Sequence, residues 1–81
     1  MRIRNCGSYI MFERLMIIQE LIQNNPCTTK AKLQSSIKNQ IGIEVSIPTL
    51  SRDLEFLRDR IHLPIEYDPQ LRGYVWRESA K

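Results

Sequence analysis

The sequence is short of the residues that build enzymes, metal centres and disulfide scaffolds. It holds one histidine, two cysteines and three glycines. A lone histidine, His62, leaves no acid–histidine–nucleophile set to assemble, and three scattered glycines make no phosphate-cradling loop. Cys6, Cys27 and His62 lack zinc-ligand spacing, so neither a metal nor another cofactor is expected. Two cysteines are too few for a disulfide framework, which points to a reducing, intracellular setting. No apolar run approaches the roughly 18 residues of a membrane span. The basic opening Met1-Arg2-Ile3-Arg4 leads into polar Asn5, Gly7 and Ser8 rather than an apolar stretch, so no secretory signal is expected. The expectation is a cytoplasmic protein that is not an enzyme.

What is present describes one small domain. The chain has 81 residues, 42% of them hydrophobic. A chain of this size has room for one core and buries about 60% of its unfolded surface. The net charge of +3 is unevenly spread. Residues 1–40 carry six basic and two acidic side chains, whereas residues 41–81 carry six and seven. Between Leu21 and Ile43 stand Lys30, Lys32 and Lys38 with no acid. Such a segment suits a phosphate backbone, and equally an ordinary solvated helix face.

The apolar spacing predicts three helices. After an arm of residues 1–7, ended by Gly7, Ser8 is placed to cap a first helix over about 9–24. Met11, Leu15, Ile18 and Ile22 form its stripe, widened by Phe12 and Leu21. Pro26 ends it by pushing Asn25 out of the helical region. Thr28 or Thr29 caps the second helix, whose buried face is Leu33, Ile37 and Ile41 and whose stop is Gly42. Ile43-Glu44-Val45 connects it to the third. Ser46 is read as a cap there, with Pro48 tolerated in the first turn. Ile47, Leu50, Leu54 and Leu57 make the buried stripe of a helix running to about Arg60. Thr49, Ser51, Arg52, Glu55 and Arg58 lie on the opposite face.

Beyond Pro64 the period becomes two. Ile65 and Tyr67 alternate with Glu66 and Asp68, a turn spans Asp68–Gly73, and Tyr74-Val75-Trp76 is rich in strand formers. Two strands around a Pro- and Gly-containing loop predict a hairpin. An isolated hairpin is marginal in water, so its aromatic face is expected to lean on the helices. Core packing is expected of Trp76. Residues 78–81 are read as a tail.

Three helices followed by a hairpin is the order of a winged helix-turn-helix, a mainly α fold with a two-stranded wing. Ser46-x-x-Thr49-Leu50-x-Arg52-Asp53-Leu54-x-x-Leu57 resembles the recognition helix of DeoR-type and WYL-domain transcriptional regulators. Leu63-Pro64-Ile65-Glu66-Tyr67-Asp68 with Arg72-Gly73-Tyr74 resembles the wing of the same family. Arg14-Leu15 and Leu21-Ile22 fit its opening helix, so the resemblance covers roughly residues 10–77. One difference is the twelve residues between Leu33 and Ser46, more than in compact members. The resemblance implies sequence-specific binding of double-stranded DNA, with a recognition helix over about 47–60 and a wing over about 65–77. WYL proteins carry a further C-terminal sensing and dimerising region. A homodimer is therefore implied, held through residues beyond these 81 or through the first helix.

On that reading the first turns of the third helix face base edges in the major groove. Thr49, Ser51 and Arg52 are the base-contacting candidates, Arg52 gripping guanine O6 and N7 or a phosphate. Glu55 is either a cytosine contact or a solvated side chain. Asp53 would be repelled by phosphate, so it is expected to fix a basic neighbour or a free amide. Lys30, Lys32 and Arg58 are phosphate candidates, and Arg72 is the candidate at the wing tip. Arg2 and Arg4 are read as a minor-groove arm or a disordered end. Two other functions stay open: a winged helix that binds protein, favoured by a large exposed apolar patch, and structured-RNA binding.

Overall fold

A computed structural model describes the backbone of residues 7–77 and the side chains of residues 10–77. Of the arm read at residues 1–7, residues 1–6 with Arg2 and Arg4 lie outside the described residues, as do the tail 78–81 and the Ser8 side chain. Three helices are followed by two strands: α1 (Gly7–Asn24), α2 (Lys30–Ile41), α3 (Ile47–Asp59), β1 (Ile65–Asp68) and β2 (Gly73–Trp76). This is a mainly helical, winged-helix-like arrangement.

The helix α1 begins at Gly7, so Gly7 belongs to the first turn and does not break the chain before it. Glycine's penalty of about 1 kcal/mol applies to helix interiors and is weak at a terminus. The buried side of α1 is Ile17, Ile18 and Ile22, with Leu15 and Leu21 packed at its edges. Phe12, expected to widen the stripe, is exposed instead. At 100° per residue it lies about 120° around the axis from Ile18, at the rim of the buried side.

Thr29 caps α2, its hydroxyl accepting from the Lys32 amide at 3.2 Å. Gly42 ends the helix at φ 72°, and its N–H donates to the Lys38 carbonyl at 2.9 Å. A left-handed residue there captures a carbonyl that the last turn leaves open. Leu33 and Ile37 are fully buried. Ser46 caps α3 by accepting from the Thr49 amide at 3.3 Å. Leu50, Leu54 and Leu57 enter the core, while Ile47 remains exposed. Val45, from the connection, is buried in its place. Gln34 holds that connection by donating to the Val45 carbonyl at 2.7 Å.

The strands pair antiparallel, Ile65 opposite Trp76 and Tyr67 opposite Tyr74. Asp68 organises the turn: its carboxylate accepts from the amides of Gln70 at 2.9 Å and Leu71 at 3.3 Å. Arg72 closes it at φ 59°, donating its N–H to the Asp68 carbonyl at 2.7 Å. Burial alternates along β2, where Gly73 and Val75 are buried, but not along β1. In β1, Ile65 is buried but Tyr67, two residues on, is 54% exposed. Tyr74 and Trp76 pack at the core's margin.

One connection is absent from the sequence pattern. Thr28, in the link between α1 and α2, forms a bridge with Tyr74: the Thr28 N–H donates to the Tyr74 carbonyl at 2.9 Å, and the Thr28 carbonyl accepts from the Tyr74 N–H at 2.7 Å. The Thr28 hydroxyl also donates to the Leu21 carbonyl at 3.3 Å. The strand β2 is thus bonded on both edges, and the hairpin is tied to the helices by its backbone. The approach is close. A Cβ on Gly73 would stand 2.3 Å from the Cys27 Sγ and 3.0 Å from the Thr28 carbonyl oxygen.

Candidate nucleic-acid interface

The adjacent pair Arg52-Asp53 is split by the turn of α3. Asp53 points inward and is buried, and both its oxygens accept from the Arg14 guanidinium, Nη2 to Oδ1 at 3.1 Å and Nε to Oδ2. This two-toothed pair bolts α3 onto α1. It bears out the sequence expectation that Asp53 fixes a basic group rather than facing a ligand. Arg52 points outward, is exposed, and makes no ion pair among the described residues.

Helix geometry sorts the base-contacting candidates. Thr49 and Arg52 are three residues apart, about 60° around the axis, and share a face. Ser51 lies about 160° from Thr49 and sits instead beside Arg58, about 20° away. Thr49 is half-buried, and its hydroxyl accepts from that of Ser46 at 3.0 Å, so it is partly engaged in the cap. The structure therefore brings Thr49 and Arg52 together and sets Ser51 on the flank.

The phosphate candidates also differ in their commitments. Lys32 and Arg72 are exposed and unpaired among the described residues, Arg72 at the hairpin turn. The Lys30 ammonium lies over the Tyr74 ring, 5.8 Å from its centre. Arg58 pairs with Asp59 at 2.9 Å and 3.2 Å. The hydrogen bond that Arg58 donates to Asp59, and the Asp59 charge, hold the Arg58 pKa above the ordinary arginine value, with smaller contributions from Glu55 and Tyr74. Asp59 is held below the ordinary carboxylate value chiefly by that same hydrogen bond. Lys38 is paired with Glu44 at 2.6 Å, which lowers the Glu44 pKa. Glu55 is exposed.

Sequence reasoning missed the Thr28 bridge to Tyr74 and Arg14 as the partner of Asp53. Arg14 carried a signal: a basic residue amid an apolar stripe, facing a helix that holds an acid expected to turn inward. A second surface adjoins Arg52 on α3, since Phe56 lies one turn on and about 40° around the axis from it. Met11, Phe12, Leu15, Met16, Phe56 and Ile61 line an apolar groove between α1 and the end of α3. Among the described residues no three His, Cys, Asp or Glu side chains gather as metal ligands, and no helix is long and apolar enough to cross a membrane. Cys27 is half-buried, its Sγ 3.6 Å from the Leu71 carbonyl, and Cys6 lies outside the described residues. Comparison with family models, curated proteins and solved structures finds no match for this chain.

Proposed function

We propose that this chain binds double-stranded DNA with sequence preference, as all or part of a transcriptional regulator. In this reading α3 enters the major groove and the hairpin lies on the flanking groove or backbone. The observation that carries it is the split of Arg52 from Asp53. The acid is consumed in the interior by Arg14, which leaves the Arg52 fork exposed on the face it shares with Thr49. A planar fork at such a position suits the paired acceptors of guanine. Lys32 and Arg72 supply phosphate contacts, and Ser51 reaches a flanking sugar or phosphate. Paired half-sites would double a readout this small, so the working species is a homodimer acting in the cytoplasm on the nucleoid.

The test is selection from random duplex DNA at two salt concentrations. An enriched motif that survives competitor DNA supports the proposal, and a two-fold symmetric motif supports the dimer. Absence of binding at low salt refutes it. A protein-interaction module is the second function, favoured by the apolar groove between α1 and α3. It predicts no enriched motif, and loss of partner binding when Phe12 or Met16 becomes serine.

A further inference from the structure

We infer that Lys30, Arg58, Tyr67 and Tyr74 form a cationic, aromatic shelf that seats one sugar–phosphate strand of the duplex between α3 and the hairpin. The inference rests on the DNA-binding function proposed above and extends it to residues outside the base-reading face. Neighbouring grooves of a duplex are separated by a single sugar–phosphate strand. A protein that engages one groove with α3 and the next with the hairpin must let that strand cross the junction of the two elements. In this fold α3 packs against β1 at that junction.

The side chains there have the chemistry of a phosphate seat. The Tyr74 ring supports the Lys30 ammonium from one side, which leaves its other protons free to donate. Tyr67 meets Tyr74 edge-on, ring centres 5.2 Å apart, and is half exposed with a phenol able to donate. Arg58 is exposed on α3, the helix that packs against β1. Its partner Asp59 is an exposed neighbour that a phosphate can replace. Tyr74 cannot drift, because its N–H and carbonyl are both bonded to Thr28. Tyr74 is thus a positioning residue for Lys30, and the start of α2 and the hairpin form one contact unit.

The experiment measures binding of the whole chain to a duplex bearing the selected motif, across a salt series, for the wild type, Tyr67→Ala and Lys30→Ala. Circular dichroism and thermal melting verify that both variants fold. Tyr67→Ala is expected to bind every duplex about three- to tenfold more weakly, the loss of one hydrogen bond, with the motif unchanged. Lys30→Ala is expected to lower the salt slope by about one. A folded Tyr67→Ala and a folded Lys30→Ala that both match wild-type affinity and slope would overturn the shelf while the DNA-binding function stands. A changed motif in Tyr67→Ala would also overturn it, since the side chain would then read bases. A wild-type chain that binds no duplex at low salt overturns the DNA-binding function, and the shelf with it.

Discussion

Replacing Asp53 with alanine removes the acid that holds Arg14 and leaves a guanidinium stranded between α1 and α3. Side-chain exposure is 17% for Arg14 and 5% for Asp53, so the pair is largely out of water. Removing one partner of a buried pair costs about 3–5 kcal/mol. Arg14 keeps some contact with solvent, which places the expected loss near the lower end, about 3 kcal/mol. A chain of this length has a total stability of roughly 4–12 kcal/mol, so the loss is a large share of it. Urea titration followed by Trp76 fluorescence and by circular dichroism measures it directly, and Tm should fall by about 12–24 °C. The double variant Arg14→Met with Asp53→Leu restores most of the loss, because an apolar pair of similar volume carries no desolvation cost. A loss below about 1 kcal/mol in Asp53→Ala, or no recovery in the double variant, would refute the account of the pair as a buried bolt.

Other outcomes test separate parts of the structure. Arg52→Ala should abolish discrimination between DNA sequences while leaving the circular dichroism spectrum and Tm unchanged; an unfolded variant would mean that Arg52 is structural. Lys32→Ala should weaken binding to all duplexes alike and lower the salt slope by about one, and a sequence-dependent loss would contradict its phosphate role. Gly73→Ala should destabilise the domain by about 1–3 kcal/mol, through overpacking against Cys27 and Thr28. Cys27→Ala in the same chain should relieve part of that loss, as read by thermal melting. The Glu44 carboxyl should titrate below the usual glutamate range by NMR, and return to it in Lys38→Met. Because the shift is downward, the small stabilisation it brings is present above the unfolded-state pKa and is lost as pH falls through the depressed value.

The helices were legible because their signals are local. Thr29, Gly42 and Ser46 act at their own helix ends, and Leu33, Ile37, Leu50, Leu54 and Leu57 repeat at the spacing of one buried face. Asp53 was legible by elimination, since an acid on a helix read as facing DNA would be repelled by phosphate and needs another partner. What the spacing could not show was where each element runs out of neighbours. Phe12, Ile47 and Tyr67 all have the composition of core residues, yet each is exposed. The Thr28 bridge involves a single residue, which has no period to detect. The clustering of Lys30 with Tyr74 depends on that bridge, so it was hidden for the same reason.

The bridge between Thr28 and Tyr74 also governs how the domain comes apart. More than half of the chain lies between its two residues. Closing a loop of that length costs about 3 kcal/mol in chain entropy, while two backbone hydrogen bonds return about 2 kcal/mol. The bridge therefore exists only when the helices and hairpin have already docked. The amides of Thr28 and Tyr74 should then exchange with solvent only when the whole domain opens, and the hairpin has no independent unfolding step. A two-stranded element at the edge of a small protein thus shares the fate of its core.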